Sequence, residues 1–215
     1  MTVNFYEWND HIDRNDLGFD LKVRAGRTRL NNRLKKLLSK NPAPRVLPMP
    51  LNLISYVDLY AEQVAADPVA DMRKIFLRLS ARGMTIGGLP TGFPPLAVVA
   101  SDLRPNNTAI STIGEGLVGW YLQQRGLVAL ARPIGDGPDF IFVRSSVTGI
   151  DTILVEVKST QQSGVKSQMS DAAIPRLQYT LNCATGGSYF SCCVIGVIIR
   201  NTDDFDVLNL EIELA

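Results

Sequence analysis

Histidine occurs once in the 215 residues, at His11, and that scarcity excludes more than any other count. Ser-His-Asp and Cys-His nucleophile systems and His-based zinc hydrolysis all need an imidazole beside the reacting groups. His11 stands among Asp10, Asp13 and Asp16, the setting of a solvated surface residue. Cysteine is also sparse. Cys183, Cys192 and Cys193 are an odd set in loop or apolar context, which excludes a disulfide framework and a zinc site and predicts cytosolic thiols. No Gly-rich loop leads into Lys-Ser/Thr, so phosphate-loop chemistry is absent. No apolar run approaches the roughly 18 residues of a membrane span; the longest, 192–199, is strand-sized. Residues 1–10 hold no apolar leader core, so no signal peptide is expected and the expected location is cytoplasmic. Any catalysis must rest on carboxylates, a lysine and a hard metal ion.

With 46% hydrophobic and 20% charged residues, the chain is globular, and its length suits one or two domains. The formal charge of +1 hides an asymmetry. The segment 22–45 carries nine basic residues and no acidic one, leaving 13 basic and 21 acidic residues elsewhere, a balance of −8. Two readings stand side by side. Leu30, Leu34, Leu37 and Leu38 recur at helical spacing, so the charges could be the solvated face of an amphipathic helix. Alternatively the segment is an arm that meets a polyanion, with Arg27, Arg29, Arg33, Lys35 and Lys36 on phosphates.

A Pro-rich connector follows at 41–50. Helices are expected over 51–66 and 69–82, and Gly and Pro concentrate at 87–95, the strongest break in the chain. These divide the chain into a mostly helical accessory region, 1–100, and a core, 101–215. In the core the pattern predicts a helix at 109–125 and strands at 127–132, 139–144 and 152–159, the last two joined as a hairpin. A helix at 167–182 starts late or kinks at Pro175, and strands at 190–200 and 207–214 complete a mixed α/β domain. Trp120 and Tyr121 fall at core spacing with Ile113 and Leu117.

In the strand Leu154-Val-Glu-Val-Lys-Ser, the two-residue period puts Glu156 and Lys158 on one face and Val155 and Val157 on the other. Asp139, after Gly137-Pro138, opens the neighbouring hairpin strand, so antiparallel pairing can bring it beside Glu156. Two carboxylates there can share Mg²⁺, with Mn²⁺ as a substitute, at oxygen distances of about 2.0–2.1 Å. A lysine two residues on can meet the attacking water or the charge that develops on a phosphoryl group. With 6 glutamates and 7 lysines in the chain, chance supplies roughly 0.2 Glu-x-Lys triplets. The weight therefore rests on the order helix, Pro-Asp, hairpin, Glu-x-Lys. Asp136, beside Gly137, reads as a turn residue.

Residues 109–200 resemble the PD-(D/E)xK nuclease superfamily, through Pro138-Asp139, Glu156-Val-Lys158 and Glu115 in the preceding helix. The resemblance implies a restriction-endonuclease-like fold, a central mixed sheet flanked by helices, and a Mg²⁺-dependent DNA endonuclease. It implies Asp139, Glu156 and the Val157 carbonyl as metal ligands and Lys158 as the residue that positions water. It gives Glu115 a further metal or water contact; alternatively Thr112-Ile-Gly-Glu115 is a capping box and Glu115 only starts a helix. Gln161, Gln162, Lys166, Arg176, Gln178 and Tyr179 are placed to line a phosphate path. The expected partner is nucleic acid, DNA before RNA, with a second copy or a partner protein compatible and no membrane. The alternative is a subunit that keeps this fold for nucleic-acid binding or assembly without catalysis. Residues 101–215 carry 8 basic and 12 acidic residues, a balance of −4, so DNA binding would lean on the basic arm.

Overall fold

The computed structural model describes residues 2–49, 52–60, 107–133, 137–146, 149–161, 163–183, 190–200 and 204–214. The expected helix 69–82, the break at 87–95, Asp136 and Gln162 lie outside them. In chain order the elements are β1 (Thr2–Ile12), α1 (Arg14–Lys22), α2 (Arg24–Leu38), β2 (Arg45–Pro48), α3 (Leu53–Tyr60) and α4 (Asn107–Gln124). There follow β3 (Val128–Ala131), β4 (Phe140–Ser146), β5 (Gly149–Thr160), α5 (Val165–Cys183), β6 (Phe190–Ile199) and β7 (Asp204–Leu214).

The strands form one mixed sheet in the order β2-β1-β7-β6-β5-β4-β3. Hairpin pairing joins β3, β4 and β5 antiparallel, and β5 runs parallel to β6 through the crossover helix α5. β6 pairs antiparallel with β7, and β7 parallel with β1. Parallel strands are covered on both faces, which is why β6 reads Cys-Cys-Val-Ile-Gly-Val-Ile-Ile without alternation. One core gathers Phe5, Val57, Ile113, Leu117, Tyr121, Val155, Val157, Cys193 and Ile195 between the sheet and α3 with α4. The other gathers Leu17, Leu30, Leu34, Met169, Leu177, Cys192 and Val194 beneath α1, α2 and α5. The expected mixed α/β sheet flanked by helices is thus present.

The N-terminal segment departs most from expectation. β1 and β2 come from the region expected as accessory, and β1 hydrogen-bonds along its whole length to β7. The boundary near residue 100 therefore does not divide the sheet. In β1, Val3 and Phe5 enter the core under α4, whereas Trp8 and Ile12 enter the one under α2 and α5. A strand that changes its buried face midway loses the alternation that would announce it.

Two sequence features close the layers. α2 buries Leu30, Leu34 and Leu38, four residues apart, and Gly26 meets the backbone of Asp20 where a Cβ would stand 2.4 Å from its carbonyl oxygen. In α4, a Cβ on Gly116 would lie 2.7–2.8 Å from Val57, so the helix pair α3–α4 needs a residue without a side chain there. α5 spans Val165–Cys183 with Pro175 inside it, so the late start is overturned. Trp120 and Tyr121 are buried, with Phe5 stacked 4.7 Å from the Tyr121 ring.

Candidate active site

The ladder between β4 and β5 starts at Phe140, paired with Val155. Asp139 is the residue before that pair, and its carboxylate Oδ2 accepts the backbone N–H of Val157 at 2.7 Å. The side chain replaces the main-chain partner that β4 no longer offers. The carbonyl of Val157 projects from the same strand edge as its amide, toward Asp139. Antiparallel pairing thus brings Asp139 to the Glu-x-Lys segment.

Glu156 and Lys158 share a face, and the Lys158 Nζ donates to Glu156 Oε1 at 2.6 Å. Glu156 is 4% exposed. Its other oxygen, Oε2, is buried and makes no hydrogen bond; the Arg176 Nε stands 2.6 Å away in an ion pair. The crossover geometry explains the meeting. Gly196, beside Lys158 in the sheet register, lets Met169 and Val165 approach to 2.6–2.7 Å of where a Cβ would be. α5 therefore lies low on the sheet and runs back along β5, so Arg176 arrives over Glu156.

Burial raises the Asp139 pKa above the usual carboxylate range, and the negative charge of Glu156 raises it further. The Val157 amide, Lys158 and Arg132 oppose that shift. Arg132, which the sequence reading passed over, links two parts of the site. Its Nη2 donates to Glu115 Oε2 at 3.0 Å, its Nη1 donates to the Tyr60 carbonyl, and its guanidinium lies 4.7 Å from the Phe140 ring centroid. Glu115 is buried mid-helix in α4. The capping-box alternative is overturned, because the helix already runs from Asn107.

At the rim, Tyr179 is one helical turn beyond Arg176 and 36% exposed; its hydroxyl lies 3.9 Å from where a Gly137 Cβ would stand. Gln178 donates to Asn182 on its own helix at 3.2 Å. Lys166 stands apart: its Nζ donates to Asn41 at 3.1 Å and sits 5.1 Å from the Trp8 ring centroid, and burial lowers its pKa.

The basic segment is less unopposed than its composition implied. Arg33 makes a two-pronged contact with Asp10 at 2.8 and 2.6 Å, Arg29 pairs with Asp20 at 2.6 Å, and Arg27 Nε donates to the Leu21 carbonyl at 2.7 Å. Lys35 and Lys36 are exposed on the outer face of α2. His11 is exposed beside Glu213 at 2.9 Å.

Among the described residues, no three His, Cys, Asp or Glu side chains converge as a metal-binding group. Among them, the carboxylates brought to the Glu-x-Lys segment are those of Asp139 and Glu156. Among them, too, no helix is long and apolar enough to cross a membrane. No family model, curated protein or solved structure matches the chain.

Proposed function

We propose that the chain is a metal-dependent nuclease of the PD-(D/E)xK type, with a restriction-endonuclease-like core, that hydrolyses phosphodiester bonds in DNA. The observation that carries the reading is the junction of β4 and β5, where Asp139 is fastened to the Val157 amide beside the Glu156–Lys158 pair. The order α4-β3-β4-β5-α5-β6, with an antiparallel hairpin followed by a parallel crossover, supports it.

The donor set fits Mg²⁺. Magnesium favours one or two carboxylates and leaves its remaining positions to water and substrate phosphate. A divalent cation would meet the buried Oε2 of Glu156, which has no hydrogen bond of its own, and the Asp139 carboxylate, whose pKa is raised by burial first and by the Glu156 charge second. Asp139, Glu156 and the Val157 carbonyl would hold it. Once bound, such an ion polarises the phosphate and lowers the pKa of water. The remaining work belongs to the chain. The Val157 amide fixes the Asp139 carboxylate. Lys158, 36% exposed at its side chain, orients the attacking water and offsets charge that develops on the phosphoryl oxygens. Glu115 holds Arg132, whose charge favours the ionised form of Asp139.

A second reading, a non-catalytic subunit with the same fold, is favoured by one observation: both Glu156 oxygens already face cations. A plasmid-nicking assay with and without Mg²⁺ decides between them. Mg²⁺-dependent nicking that disappears in Glu156→Gln supports the nuclease; equal background with and without the ion, at protein concentrations that bind the plasmid, supports the second reading.

A further inference from the structure

Glu156 is one buried carboxylate held between two cations. The two contacts differ. Lys158 makes a hydrogen bond to Oε1 at 2.6 Å, whereas Oε2 faces Arg176 at 2.6 Å without a hydrogen bond. Oε2 is therefore the oxygen more readily given up. Among the described residues, the cations in ion-pair contact with Glu156 are Lys158 and Arg176. A divalent ion on Oε2 with the Arg176 guanidinium still 2.6 Å from it would crowd like charges on a carboxylate that is 4% exposed, a costly state in low dielectric.

We infer that Arg176 is a metal-displaced cation: it occupies Glu156 in the metal-free protein, yields Oε2 when the ion arrives, and is thereby turned toward the phosphates of the substrate. The inference rests on the nuclease reading and adds a coupling to it. The side chain of Arg176 is 17% exposed, and Tyr179, one turn further on the same helix, is open to solvent at the rim. A guanidinium released there can reach a phosphate in the mouth of the site, whose negative charge replaces the carboxylate oxygen it has given up. Metal and polynucleotide then favour each other's binding, as linkage requires.

The test is calorimetric titration with Mn²⁺ alone, with no substrate present, on the wild type, Arg176→Gln, Arg176→Lys and Asp139→Asn. Removing the competing cation should tighten Mn²⁺ binding about fivefold or more in Arg176→Gln, and Arg176→Lys, which keeps the charge, should return toward the wild-type value. A wild-type measurement stands independently of any folding defect in the variants. Hydrogen exchange at the Arg176 Nε–H, followed by NMR and assigned from the signal missing in Arg176→Lys, should accelerate when Mg²⁺ is added. Unchanged or weaker Mn²⁺ binding in Arg176→Gln, or exchange indifferent to Mg²⁺, overturns the inference. If Asp139→Asn still abolishes Mn²⁺ binding in that case, the nuclease reading survives without it. No Mn²⁺ binding to the wild type overturns both.

Discussion

The carboxylate of Asp139 and the backbone amide of Val157 are joined by a 2.7 Å hydrogen bond across the open end of the β4–β5 hairpin. The bond completes a strand end that would otherwise expose an unmatched amide, and it aims a carboxylate at the edge where Glu156 is buried. Structure and chemistry therefore separate at Asp139. Accepting a hydrogen bond needs only an oxygen, while holding a hard cation needs the charge.

Asp139→Asn exploits that separation. The amide oxygen of asparagine can still accept from Val157, so the thermal midpoint should stay close to that of the parent. Mn²⁺ affinity should fall by at least about tenfold and cleavage should vanish. Unchanged affinity in a calorimetric titration would remove Asp139 from the ligand set.

Lys158→Ala takes away the hydrogen bond to Glu156 Oε1 and the charge that faces the water. Because that charge matters most as the transition state develops, cleavage should drop about 10²–10³-fold, with DNA binding within a few-fold of the parent. Single-turnover rates on a labelled duplex measure it. A variant that cuts at the parental rate would leave Lys158 only its structural contact with Glu156.

The thiols give a readout of the central strand. Burial pushes the Cys192 thiol up to about 12 and that of Cys193 well above its ordinary value. At pH 8 the thiolate, the reactive form, is therefore scarcely populated at either residue. Cys183, at the end of α5, is only half-buried. Titration of the native protein with a chromogenic disulfide should therefore consume one thiol quickly and three after denaturation. Rapid reaction of all three in native buffer would contradict β6 as a central strand.

Gly116→Val tests the α3–α4 contact. A Cβ there already falls 2.7–2.8 Å from Val57, including its backbone, and valine adds two methyls with no gain in helix propensity over alanine. Overpacking of this kind costs about 2–3 kcal/mol, and the thermal midpoint should fall by about 4–12 °C. A midpoint equal to the parent's would mean that α3 does not sit on α4 at this distance.

How far the sequence could be read follows from which contacts are local. The alternation of 152–159 and the apolar run of β6 depend only on burial of neighbouring residues, and both strands lie close to where the pattern placed them. The same holds for the helix ending near Arg125. β1 failed that test because its two halves bury opposite faces, and Glu7, Asn9 and Asp10 interrupt the pattern. The site divides similarly. Asp139, Glu156 and Lys158 are near neighbours on a hairpin, so spacing alone could bring them together. The Arg176–Glu156 pair depends on how low a crossover helix lies, and Arg132 depends on a side-chain path between two elements. Neither leaves a periodic signal. The pairing of Arg29 with Asp20 and Arg33 with Asp10 was hidden because both acids precede the basic segment, Asp20 just outside it and Asp10 on β1.

Those pairings sharpen the question of how α2 meets DNA. If the arm contacts phosphates, each contact releases counterions, with a slope of about −0.9 per phosphate on a log-log plot of affinity against salt. Arg29 and Arg33 already face Asp20 and Asp10, so their charge is partly cancelled before any ligand arrives. Lys35 and Lys36 are exposed and carry no such opposition in the basic segment. Neutralising Lys35 and Lys36 together should flatten the salt slope by up to about 2 units and weaken binding to every sequence alike. Neutralising Arg29 and Arg33 should flatten it less, and should lower stability as well, since Asp10 and Asp20 would lose their partners. Cleavage at saturating DNA should persist in both variants, because neither touches Asp139, Glu156 or Lys158. Fluorescence anisotropy across a salt series measures the slopes. An unchanged slope in the lysine variant would make α2 a solvated helix whose buried stripe is Leu30, Leu34 and Leu38, and the phosphate contacts would then have to come from Lys158, Arg176 and the rim around Tyr179.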